Sequence, residues 1–113
     1  MIFALSWPDK TLNPNVRAHW AVKRKAKKWA ASGWHVELNP FRKNLLGQRK
    51  FNVRFQPPDK RRRDVDNVIA SLKHMQDTLA TFCGCDDSQL RIQWPVEFEG
   101  PVKGGRVILE TVE

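Results

Sequence analysis

The stretch "KFNVRFQPP", residues 50–58, does most to limit the architecture. Phe51, Val53 and Phe55 alternate with Asn52, Arg54 and Gln56, and Pro57 and Pro58 then stop the run. Strict alternation of this kind describes a strand with one buried face, so a sheet covered on one side is required. The cover must come from segments whose apolar residues recur at helical spacing. Val65, Val68, Ile69, Leu72, Met75, Leu79 and Phe82 trace one face of such a helix. Ala18, Val22, Ala26, Trp29, Ala30 and Gly33 suggest another, starting near Val16 behind an Asn15 cap, because Pro14 biases Asn13 away from helix.

Further strands are expected at "MIFALSW", closed by Pro8, at "LRIQWPV", where Pro95 favours an edge or a bulge, and at "RVILETV" after the "KGG" turn. Residues 37–48 carry Pro40 and Gly47 without a sustained period and read as a loop with room for a short helical turn. The expected fold class is α+β: one domain over residues 1–113, with a mixed β-sheet packed by two main helices in the order β-α-β-α-β-β. A chain of 113 residues suits one modest core rather than two.

The balance of charge points to a partner. Twenty Lys and Arg against 12 Asp and Glu leave a net +8, which suits a polyanion, with nucleic acid as the leading candidate. No apolar stretch approaches the roughly 20 residues of a spanning helix, and no signal-peptide pattern opens the chain, so no membrane partner and a cytoplasmic setting are expected. Cys83 and Cys85 are too close in sequence to frame a secreted disulfide scaffold and read as reduced thiols in a turn. His19, His35 and His74 lack finger spacing, which argues against zinc. On the first helix, Lys23 with Lys27 and Arg24 with Lys28 are like-charge pairs four residues apart, an arrangement that favours an anion nearby.

In "KRRRDVDN" the cations Lys60, Arg61, Arg62 and Arg63 stand directly before Asp64 and Asp66. In extended backbone, residues i and i+2 point the same way, so both carboxylates can face one point. Two adjacent carboxylates repel unless a cation intervenes, and an all-oxygen site favours Mg²⁺, with Mn²⁺ as substitute. "CDDSQ" offers Asp86 and Asp87 as further acidic groups, provided that the fold returns them. Lys73, seven residues after Asp66, lies only roughly 20° away around a straight helix. Asp77 is four residues beyond Lys73 and is an ordinary surface partner for it. Cap and surface roles are the plainer reading of each aspartate taken singly.

Taken together, "RRRDVDN", a lysine on the helix, "DDSQ" and "KGGRV" resemble the RusA family of Holliday junction resolvases, including its phage members, chiefly over residues 57–112. The resemblance implies a RusA-like fold and a Mg²⁺-dependent endonuclease that cuts four-way junction DNA in recombination and repair. The metal ligands it implies are Asp64, Asp66 and Asp87. Lys73 stands in for a basic helix residue that the family often carries at the position of Ala70. Asn67, Asp77 and Asp86 would stand behind the ligands. Asn15, Arg17 and His19, in "LNPNVRAHW", together with Lys23, Lys27 and Lys60 to Arg63, would meet DNA. Paired cuts by a chain with one site imply a two-fold homodimer. The alternatives are a non-catalytic DNA or RNA binder, and a small regulator that meets another protein through exposed Trp residues.

Overall fold

The structure, a computed structural model, describes residues 1–112. Four strands, β1 (Ile2–Ser6), β2 (Lys50–Gln56), β3 (Arg91–Gln93) and β4 (Arg106–Thr111), form one sheet in the order β1-β4-β2-β3. The last strand in sequence lies inside the sheet, antiparallel to both β1 and β2, while β3 runs parallel to β2 at the edge. Pairing sets Phe3 opposite Leu109, Leu5 and Phe55 opposite Val107, and Val53 opposite Leu109. These residues are buried on one face, as their alternation requires.

That face is covered by α1 (Trp20–Leu38), the single-turn α2 (Arg42–Leu45), α3 (Val65–Ser71) and α4 (Lys73–Cys83). Trp34, Leu38, Leu45, Val68, Leu72, Met75, Leu79 and Cys83 join the strand residues in one core. The Trp34 indole N–H donates to the Ser6 carbonyl at 3.0 Å, which ties α1 to the edge of β1. The result is a small α+β domain with a mixed four-stranded sheet. No helix among the described residues is long and apolar enough to cross a membrane.

Four expectations need correction. The first helix starts at Trp20 with His19 as its cap, Nδ1 accepting from the Ala21 N–H at 3.2 Å. Asn15 caps no helix among the described residues; its N–H donates to Asn13 Oδ1 in an Asx turn that delays the helix. Second, the helix continues to Leu38, and its inward row is Ala26, Ala30, Trp34 and Leu38. A row of residues four apart rotates by about 40° per step, so the large residues at its end carry Val22 and Trp29 outward. Those two are 49% and 65% exposed. Third, the single second helix is two helices. Leu72, at φ −92° and ψ 0°, interrupts it, and its N–H turns back to the Ile69 carbonyl at 3.0 Å. The third strand is also shorter than the span 90–96, at three residues, and sits at the edge where Pro95 placed it.

Candidate nucleic-acid interface

The backbone from Pro57 to Asp64 is shaped by Asp59. Its carboxylate accepts from the Arg61 N–H at 2.9 Å and pairs with the Arg63 guanidinium at 2.8 Å. Arg63 also donates to the Asp59 and Arg61 carbonyls, each at 3.1 Å, and lies 5.9 Å over the Trp7 ring. The Arg61 backbone N–H, followed by Arg63, holds the Asp59 carboxyl below its ordinary range. Arg63 is thereby committed to internal structure. Arg61 is partly engaged by Asp59 at 3.4 Å, while Lys60 and Arg62 make no ion pair among the described residues.

This loop is fixed, through Gly105, against the end of the sheet where β1 and β2 finish and β4 begins. With φ at +70°, Gly105 lies so close to Trp7 and Pro58 that an added Cβ would stand 2.8 Å from Trp7 Cγ and 2.9 Å from Pro58 Cδ. Only glycine accepts both the backbone angle and the approach. Trp7 is braced further by Phe55, edge to face at 6.0 Å, and by Phe98 at 6.4 Å.

Asp64 follows as the N-cap of α3, its Oδ1 accepting from the Asp66 N–H at 3.3 Å. Both aspartates are exposed. They border one cleft of about 510 Å³ whose other walls include Arg62, Arg63 and Val96. Asp64 also borders a second hollow of about 540 Å³, enclosed by the turn after β1 and by α3, with Lys10, Arg61 and Asn67 in its wall. Carboxylates and cations thus share one concave surface.

The second aspartate pair lines neither of these hollows. Asp86 caps the turn Asp87–Gln89 in a reciprocal capping box, with the Asp86 N–H donating back to Gln89 Oε1 at 3.0 Å. Loss of water contact first, then hydrogen bonding to Asp86 and the negative charges of Asp77 and Asp86, raise the Asp87 carboxyl above its usual range. Asp86 is lowered, chiefly by the Ser88 hydroxyl that donates to it at 2.8 Å. Asp77, Asp86 and Asp87 therefore form an acidic neighbourhood of their own. Among the described residues, no three His, Cys, Asp or Glu side chains are grouped to hold a metal. Asp87 lines neither hollow that Asp64 borders.

Lys73 opens α4 beyond the Leu72 break and lines neither hollow that Asp64 borders, so the straight-helix relation to Asp66 does not apply. It makes no ion pair with Asp77 among the described residues. On α1, the cations Lys23, Arg24, Lys25, Lys27 and Lys28 likewise have no carboxylate within 4.0 Å among the described residues; Lys25 instead sits 4.7 Å over the Trp29 ring. Asn15, Arg17 and His19 are exposed on the segment leading into this helix. Sequence reasoning missed Asp59, Trp7 and Lys10. Asp59 had a signal, since Asp followed by Arg at positions i+2 and i+4 suits an Asx turn closed by an ion pair.

The two aspartates suit Mg²⁺ by chemistry, because that ion is commonly held by one or two carboxylates together with water and substrate phosphate. No protein-family model matches the chain. A protein of Xylella fastidiosa (strain Temecula1), described as uncharacterized, is 30% identical over 114 residues, an overlap that takes in 93% of this chain and 71% of the relative.

Proposed function

This chain belongs to the same family as the Xylella fastidiosa protein, and we propose that it is a metal-dependent endonuclease of the RusA type that cuts four-way DNA junctions. The observation that carries the reading is the shared cleft, in which Asp64 and Asp66 face the same space as Arg62 and Arg63. Asp64 and Asp66 are the residues that would hold Mg²⁺. When bound, that ion would polarise a phosphodiester and lower the pKa of a water molecule.

The chain's own residues do the rest. Among the described residues Lys60 and Arg62 have no competing carboxylate, nor have Lys23 and Lys27 along α1, and all four attract phosphate. Arg63 holds the loop backbone that delivers Asp64 to the cleft. Lys73 is kept as a cation for phosphate reached from the start of α4. Because two symmetric cuts need two sites, the working form is a homodimer, for which sedimentation showing only monomer during paired cutting would be fatal.

The deciding experiment compares a labelled four-way junction with matched linear duplex, in Mg²⁺ and in EDTA, for the wild type and Asp66→Asn. Paired nicks near the crossover that need both the metal and Asp66 are expected. Undiminished cutting by the variant would refute the assignment.

A second reading draws on the cap made by Asp64 and the separate position of Asp87. On that reading the chain binds junction DNA without cutting it, and the same assay would show EDTA-resistant binding with no nicks.

A further inference from the structure

The hollow between the turn after β1 and α3 is larger than phosphate contact requires. Its volume of about 540 Å³ falls within the roughly 300–1,000 Å³ of sites that enclose a small molecule. Trp7, Pro8, Val16 and Pro58 make one part of its lining apolar, and the Asn13 and Asn67 carboxamides make another part polar. Among the described residues neither side-chain NH₂ donates a hydrogen bond, and the Asn67 side chain has no partner at all.

Each anionic group in the wall already has a partner. Asp9 accepts from the Thr11 N–H and hydroxyl, each at 2.8 Å, Asp59 is paired with Arg61 and Arg63, and Asp64 accepts from the Asp66 N–H. Lys10, Arg61 and Arg62 supply positive charge to the same wall.

Apolar lining, free amides that can both donate and accept, and adjacent cations are the three things one unstacked nucleotide needs: a place for the base, partners for its edge and a counter-charge for phosphate. We propose that this hollow receives a single unpaired deoxynucleotide, its base between the proline and tryptophan lining and the two asparagines, its phosphate towards Arg61 and Arg62. The proposal deepens the nuclease reading and rests on it, since a base freed at a branch point would be held one wall away from the aspartate cleft through Asp64, which borders both spaces.

The test separates the two ideas by using a probe that is never cut. Single-stranded DNA pentanucleotides, with and without the central base, are titrated against the full chain in EDTA. Loss of the base is expected to weaken binding about tenfold, within the range that stacking of one base contributes. Val16→Trp, which fills the hollow, and Asn67→Ala, which removes a free amide, are each expected to abolish that difference while the thermal unfolding midpoint shows a folded protein. Equal binding of intact and abasic strands by the wild type would overturn the proposal, as would an undiminished difference in Asn67→Ala. Neither result would touch metal-dependent junction cutting, which the nuclease assay reads independently.

Discussion

Two aspartate pairs in this molecule do the same local work in opposite electrical surroundings. Asp64 caps α3 with Asp66 in its first turn, and Asp86 caps the turn Asp87–Gln89 with Asp87 in its first position. Backbone geometry accounts for both pairs equally well. They differ in their neighbours: the first pair borders a cleft with Arg62 and Arg63, while the second faces Asp77. A cap residue earns no functional reading from its hydrogen bonds. The charges around its remaining oxygens decide that.

The sharpest way to break this comparison is to neutralise one aspartate of each pair. Asp66→Asn is expected to lower metal-dependent junction cleavage on the order of 100-fold, the scale of removing one preorganised electrostatic group. Asp87→Asn is expected to lower it far less. Equal losses in single-turnover rates would show that the two acidic neighbourhoods act together on the substrate, and the distinction drawn here would fall.

Binding gives the next largest contrast. Arg62→Ala should weaken junction affinity in EDTA and reduce the slope of log K against log salt by about 1, the value of one phosphate contact. Asp87→Asn should leave affinity equal or slightly raised, since it removes a negative charge. A fall in affinity for Asp87→Asn in a salt titration would contradict this.

Caps should behave alike where chemistry does not. Asp86→Ala is expected to lower the unfolding midpoint by roughly 4 °C, the scale of one lost N-cap in a domain of this size. Asp64→Asn should be nearly neutral in stability because asparagine caps as well as aspartate. Differential scanning calorimetry of both variants checks the pair.

The smallest effect is one of order in titration. Asp87, raised in the folded state, gains relative stability from protonation; that gain is present below its ordinary pKa of 3.8 and is lost as pH rises through its folded value. Asp86, lowered, contributes stability above 3.8 that is lost as pH falls through its folded value. Carboxyl-carbon NMR should therefore see Asp87 take up its proton at a higher pH than Asp86. Coincident titration would remove the electrostatic difference between the pairs.

Much of this was legible from local pattern. The alternation in residues 50–56 and the apolar row from Val65 to Phe82 announce the sheet and its cover, because each depends on a period of a few residues. The interruption at Leu72 was not legible, since neither glycine nor proline marks it and the apolar period continues across it. The start of α1 was misplaced because the Asx turn at Asn13 competes with helix at the position where Asn15 would have capped one. At the site, the Asp64 and Asp66 pair and its cations were visible as neighbours in sequence. The bracket of Trp7, Pro58 and Gly105 was not, because it unites residues from three distant parts of the chain. The position of Asp87 depends on the path taken after α4, which no spacing rule states.

The placing of β4 between β1 and β2 has a consequence in time. Of the four strands it is synthesised last, so during translation β1 has no sheet neighbour and β2 pairs at most with β3. Gly105, immediately before β4, arrives with it, and until then the close approach that Trp7 and Pro58 make to it is missing. The aspartate cleft is therefore among the last features of the domain to form, and a nascent chain that could already attract nucleic acid through α1 would reach its full set of groups only once residues 106–111 had been inserted.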